Sequence, residues 1–179
     1  MQAWNAVVSV KEHGFKKALD VLSAFGEVHR TEFFNVLLLR AENLNSMLEA
    51  LRNQLLDHSE SLGFLARLIP ITQSFTFQYA EEFKVRAQKA VGEYVCKLRR
   101  KSFHVRLHRR GFKGRITSPE VERFLNEALL DDLEKAGTAG RLTFDNPDAV
   151  IGVETVGTWA GFTLLTREDF KRYPFVRID

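Results

Sequence analysis

"SFHVRLHRRGFKGRITSPEVERFLNEAL", residues 102–129, changes its hydrophobic period halfway along. In its first part apolar and basic residues alternate. Phe103, Val105 and Leu107 fall on one side, and His104, Arg106, His108 and Arg110 on the other, which is the period of a half-buried strand. Further on the spacing becomes helical, with Val121, Leu125, Ala128, Leu129 and Leu133 on one stripe. Ser118 suits the N-cap, Pro119 the first helical position, and Thr117 to Glu120 has capping-box spacing. Gly137 is placed to end the helix. Between strand and helix lies "GFKG", a glycine-bounded basic loop.

This stretch also carries an unusual charge. Between Glu93 and Glu120 there is no acid, while the same interval holds Lys97, Arg99, Arg100, Lys101, Arg106, Arg109, Arg110, Lys113 and Arg115, with His104 and His108. The chain as a whole is only +3, with 26 Lys and Arg against 23 Asp and Glu. Without that interval it would be clearly acidic. Clustering of this kind is the electrostatic footprint of a polyanionic partner, although a solvated surface run has the same composition. Residues two apart on a strand are roughly 6–7 Å apart, close to the spacing of successive phosphates. Two readings of the glycine loop stand side by side. It lets a phosphate approach the backbone near a helix N-terminus, or it is a flexible connector. The G-x-x-G clamp of KH domains joins two helices, whereas this one joins a strand to a helix.

Outward from this segment, the 179 residues suit one domain or two small ones, and 45% apolar content supports a core. "AVVSV" reads as a strand. "GFKKALDVLSAFG" reads as a helix stopped by Gly26. "EVHRTEFFNVLLLRA" reads as two strands around Phe34 and Asn35, and "NLNSMLEALRNQLL" as a helix opened by Asn43 or Leu44. "SLGFLARLIP" is a looser apolar stretch broken at Pro70, and the alternating "ITQSFTF", residues 71–77, supplies a further strand. Strand, helix, strand, strand, helix, strand is the order of a ferredoxin-like split βαβ domain, placed at residues 1–78. In residues 79–179, "AEEFKVRAQKAVGEYVCKLRRK" reads as one helix with acids at its start and Arg99, Arg100 and Lys101 at its end, complementing the helix dipole. The strand, loop and helix of 102–129 follow, and then two strands joined near Gly157–Trp159. The expected class is α/β, with two small domains.

Motifs for chemistry are few. A single Cys excludes a disulfide within the chain and a multi-thiolate zinc site. Cys96 is read as packing, because nothing in the sequence supplies it with a base. His104 and His108 share a strand face but have no evident third metal ligand, and they are read as surface cations. There is no H-x-E with C-x-x-C, no P-loop, no G-x-G-x-x-G and no G-x-S-x-G. No metal or cofactor is expected. The first residues do not pair a charged region with an apolar one as a signal peptide does, and a cytoplasmic location is expected.

Residues 101–129 with "DNPDAVIGVETVGTWAGFTLL", residues 145–165, resemble a THUMP domain. The resemblance lies in the F-x-V-R strand, the R-R-G-x-K-G loop, the S-P-E-V helix start, and the N-P-D turn before I-x-V-E. It implies a THUMP-like RNA-binding domain at residues 79–179, preceded by the ferredoxin-like domain, and tRNA as the partner. The layout is similar to THUMP-only adaptors that present tRNA for cytidine acetylation. The sequence ends at "YPFVRID", without the further catalytic domain of THUMP enzymes, so a non-catalytic adaptor with an acetyltransferase partner is expected. Arg99, Arg100, Lys101, His104, Arg106, His108, Arg109, Arg110, Lys113 and Arg115 are the expected RNA contacts. Two other classes stay open at this point: an RNA-processing or other polyanion-directed enzyme, and a protein-interaction module with a basic face.

Overall fold

In the computed structural model, which describes residues 3–178, the chain forms two compact units. One runs to Ile71 and is joined by the segment from Glu168 onward; the other is Thr72–Arg167.

The first unit contains β1 (Ala6–Val10), α1 (Phe15–Leu22), β2 (Gly26–Arg30), β3 (Val36–Ala41), α2 (Leu44–Asp57) and β4 (Leu65–Pro70). The sheet order is β2-β3-β1-β4 with every neighbouring pair antiparallel. β3 thus lies between β1 and β2, as in the expected ferredoxin-like arrangement. Asn43 caps α2, its Oδ1 accepting from the Ser46 amide at 2.9 Å. Asn35, with φ of 56°, turns β2 into β3.

Two expectations fail in this unit. The fourth strand is Leu65–Pro70 and not residues 71–77. The alternation of 71–77 is real, but its strand pairs elsewhere. Pro70 is tolerated because β4 is an edge strand, where the missing amide is not needed by a neighbour. Gly26 does not stop a helix. It opens β2, where an added Cβ would lie 2.0 Å from the Arg40 carbonyl oxygen, so close approach of β3 demands glycine. The expected division at 78/79 also differs from the observed units, since the chain returns to the first unit after Arg167. There Phe175 and Val176 are buried, and the Leu68 amide donates to the Phe175 carbonyl at 3.0 Å. Glu49 on α2 accepts from Arg172 at 2.7 and 2.9 Å and from the Tyr173 hydroxyl at 2.5 Å.

The second unit contains β5 (Gln73–Thr76), α3 (Ala80–Gly92), a short 3₁₀ turn (Val95–Lys97), β6 (Ser102–His108), α4 (Ser118–Lys135), β7 (Arg141–Leu142), β8 (Ala149–Val156) and β9 (Trp159–Thr166). A short α5 (Arg167–Arg172) follows. The sheet order is β5-β9-β8-β6-β7, with β6 parallel to β7 and β8 and the remaining pairs antiparallel. Phe103, Val105 and Leu107 of β6 face the core. They pack with Phe83, Ala87 and Val91 of α3 and with Val121, Leu125, Leu129 and Leu133 of α4. Gly137, φ 70°, closes α4, its amide donating to the Glu134 carbonyl and that of Thr138 to the Leu133 carbonyl. Thr117, not Ser118, occupies the N-cap position, and its hydroxyl donates to Glu120 at 2.6 Å.

β7 is only two residues long, so it leaves part of the outer edge of β6 without a strand. Side chains of α4 take its place. Asn126, buried, accepts from the Val105 amide at 2.9 Å, and Glu122 accepts from the Leu107 amide at 2.8 Å. An unpaired buried amide costs about 1–3 kcal/mol. Asn126→Leu should therefore destabilise the protein by about that amount in a denaturant melt, although it adds apolar volume to the helix.

Arg172 and Tyr173 lower the Glu49 pKa to about 2, chiefly through their hydrogen bonds. A carboxylate with a depressed folded pKa stabilises above its unfolded pKa of about 4.3 and loses that contribution as pH falls toward 2. Glu49→Gln should show a shallower loss of stability between about pH 5 and pH 2 than the parent protein.

Candidate nucleic-acid interface

The basic segment is built from three local pieces: the end of the α3 region, β6, and the loop into α4. The long helix expected to run to Lys101 stops at Gly92 and is followed by the 3₁₀ turn. Apolar spacing continues because Tyr94 and Leu98 are still buried. The backbone turns into β6 at Arg100, which has φ of 56° and whose amide donates to the Thr138 carbonyl at 3.2 Å. Arg99, Arg100 and Lys101 are exposed, on a turn and not on a helix end.

Along β6 the alternation separates the two faces as expected, but the basic side is not uniform. Arg106 is exposed and His108 half-buried. His104 is 8% exposed, with Nδ1 3.0 Å from the Thr143 carbonyl oxygen and its ring 5.0 Å from that of Phe144. It is therefore packed inside and not displayed on the surface. Arg110 lies beyond the strand, and its guanidinium donates to Glu154 at 2.6 Å, with the two side chains 10% and 2% exposed. Its amide donates to the Thr155 hydroxyl at 3.0 Å and its carbonyl accepts from the Gly157 amide at 3.0 Å. Arg110 is thus an internal counter-ion of the sheet. Period-two reading could not reveal this, because the acid that takes it up is 44 residues away.

The loop that follows is shaped, not slack. Gly111, Phe112 and Gly114 have φ of 94°, 53° and 81°. Phe112 anchors it, packing against Phe77 at 5.0 Å between ring centroids, and its carbonyl accepts from the Arg115 and Ile116 amides at 3.0 Å. Arg109 is half-buried and donates to the Gly111 carbonyl. Lys113 and Arg115 are exposed, Arg115 lying 5.5 Å from the centre of the Phe112 ring. The start of α4 borders a cavity of about 100 Å³ lined by Lys84 and Arg115 together with Glu81, Glu120 and Thr117. Its charge is mixed.

The structure therefore leaves Arg99, Arg100, Lys101, Arg106, Lys113 and Arg115 exposed, the first three just before β6 and the last two in the loop after it, with His108 and Arg109 partly covered and His104 and Arg110 withdrawn. Arg141 is an exposed cation that sequence reading missed. β7 sets it beside this segment: Arg141 is paired in register with Ser102, and its amide donates to the Lys101 carbonyl at 3.0 Å. The only local signal was the two-residue run "RL" after a glycine. Cys96, expected to pack, is exposed, with Sγ 3.7 Å from the Arg99 guanidinium. The early helix stop turns it outward. Among the described residues no group of three or more His, Cys, Asp or Glu is placed to hold a metal, and no helix is long and apolar enough to cross a membrane.

No known protein family's sequence profile and no curated protein matches the chain. Solved structures do share its fold. PH1313 from Pyrococcus horikoshii superposes with a TM-score of 0.60 at 13% identity, covering 91% of this chain and 54% of that one. TrmN from Thermus thermophilus gives 0.58 at 17%, covering 90% and 44%. A 4-thiouridine synthetase in complex with RNA and ATP gives 0.53 at 19%, covering 92% and 42%. The likeness thus extends over nearly all of this chain, which spans about half the length of these neighbours or less. The α/β class expected from the sequence is the observed one, and these neighbours have it too.

The contrast between Arg110 and Arg106 can be measured directly. Breaking a buried ion pair strands a charge and costs about 3–5 kcal/mol. Arg110→Ala and Glu154→Ala should each show a loss of that size in equilibrium unfolding, while Arg106→Ala should stay within about 0.5 kcal/mol of the parent.

Proposed function

We propose that the protein binds tRNA through Arg99, Arg100, Lys101, Arg106, Lys113 and Arg115, and that it serves as a cytoplasmic, non-catalytic adaptor presenting tRNA to a separate acetyltransferase. The observation that carries the RNA reading is the exposure of these six cations from an interval that contains no acid. They lie on a turn, a strand and an anchored loop, so they are held at fixed positions and not on a disordered tail. Phosphates neutralised by such cations release counter-ions, and that release drives binding. Support also comes from the shared fold with a synthetase solved in complex with RNA. The adaptor role and the acetyltransferase partner rest on the THUMP resemblance of residues 101–129 and 145–165.

If about four of these cations contact phosphates, the affinity for tRNA should fall with salt along a log–log slope on the order of −3. The double change Arg106→Ala with Lys113→Ala should make the slope shallower by about 1.5 while leaving the melt nearly unchanged. A slope near zero in the parent protein refutes phosphate contact.

The adaptor role is checked by reconstitution. The purified chain with tRNA and acetyl-coenzyme A should form no acetylated nucleoside by mass spectrometry. Adding the acetyltransferase should produce it, faster than the acetyltransferase alone. Acetylation by the isolated chain refutes the adaptor reading and leaves RNA binding intact.

A further inference from the structure

Beside the cationic segment lies an exposed aromatic ring with no core to fill. Phe144 follows β7 and is 66% exposed. It is not loosely hung. Its ring rests on that of the buried His104, with centroids 5.0 Å apart and planes 40° apart. The backbone beneath it is fixed. The Thr143 amide donates to the Phe103 carbonyl at 3.1 Å, the Thr143 carbonyl lies 3.0 Å from His104 Nδ1, and the Asp145 amide donates to the Thr143 hydroxyl at 3.2 Å. The ring thus leans on a packed imidazole at a tilt and is otherwise largely exposed.

The β6–β7 edge that carries this ring also carries cations. Arg141 lies three residues before Phe144, and the Arg141 amide donates to the carbonyl of Lys101, next to Arg100. All three side chains are exposed. Two acids follow Phe144 in the chain: Asp145, exposed, and Asp148, whose carboxylate is taken up by the Ser102 amide and hydroxyl at 2.8 and 3.0 Å and by Arg167 at 3.2 Å. An apolar protein segment would use the ring but gain nothing from three cations. A nucleic acid uses both, because a base offers a π-face and the adjoining phosphates offer charge. Duplex RNA keeps its bases stacked on each other and offers none to an exposed ring.

We propose that Phe144, backed by His104, is a stacking platform for an unpaired nucleobase, with Arg100, Lys101 and Arg141 on the flanking phosphates. The proposal rests on the RNA-binding reading above and adds that this RNA is held at a single-stranded segment.

Three probes test it: a hairpin RNA with a four-uridine tail at each end, the same hairpin blunt, and one whose tails are abasic. Base–aromatic stacking corresponds to an affinity gain of at least about fivefold. The parent protein should bind the uridine-tailed RNA at least about fivefold more tightly than the abasic-tailed one. Phe144→Ala should abolish that difference without changing affinity for the blunt hairpin, and Phe144→Trp should keep it. Because the ring is exposed, a thermal melt of Phe144→Ala should match the parent, which separates lost stacking from lost folding. Equal binding of uridine-tailed and abasic-tailed RNA by the parent, or an unchanged preference in Phe144→Ala, overturns the platform while RNA binding stands. If none of the three probes binds, RNA recognition itself is refuted along with the platform.

Discussion

The architecture of the second unit depends on how the outer edge of β6 is satisfied. A buried strand edge must find partners for its amides. β7 reaches only Ser102 and Phe103, so Val105 and Leu107 need partners from elsewhere, and Asn126 and Glu122 of α4 provide them. That requirement holds α4 against the edge of β6. The loop between them must then reverse the chain within a few residues, which explains three consecutive-region positive φ values and a phenylalanine driven inward as an anchor. Exposure of Lys113 and Arg115 is a consequence of that reversal, because the glycines and Phe112 leave them nowhere to go but outward.

The same unit sorts its cations by the cost of desolvation. A guanidinium can be buried only with a counter-ion and good hydrogen bonds. Glu154, nearly inaccessible on β8, provides both for Arg110. Lys97, Arg99, Arg100, Lys101, Arg106, Lys113 and Arg115 of the interval are exposed, and Arg109 is half-buried. One basic sequence run thus contributes an internal ion pair and an external field, and only the external part is available to a partner.

Phosphate contacts give affinity and position but carry no information about sequence. A surface made only of exposed cations would therefore recognise the shape and charge of an RNA. On the proposed reading, an aromatic ring at the end of β7 adds a distinction between paired and unpaired nucleotides. The two contributions come from adjacent elements: β6 and its loop hold the cations, and the β7 edge brings Arg141 and Phe144 alongside.

Much of this was legible in the sequence because local periodicity and turn chemistry act over a few residues. The split βαβ order, the Gly137 helix end, the inward face of Phe103, Val105 and Leu107, and the basic interval all follow from spacing, and the start of α2 narrows to Asn43 or Leu44. Pairing between distant segments is not encoded in that way. Residues 71–77 alternate like a strand, but alternation does not name the neighbour, and β5 joined β9 while Leu65–Pro70 completed the first sheet. His104 and Arg110 carry the same local pattern as Arg106. Their burial depends on Thr143, Phe144 and Glu154, which reach them only when β7 and β8 align beside β6. The sequence by itself determined which faces are apolar and where positive charge is concentrated, since these are properties of neighbours along the chain. Tertiary structure alone decided which of those charges are neutralised and which face water, because a charge stays buried only where folding delivers its counter-ion.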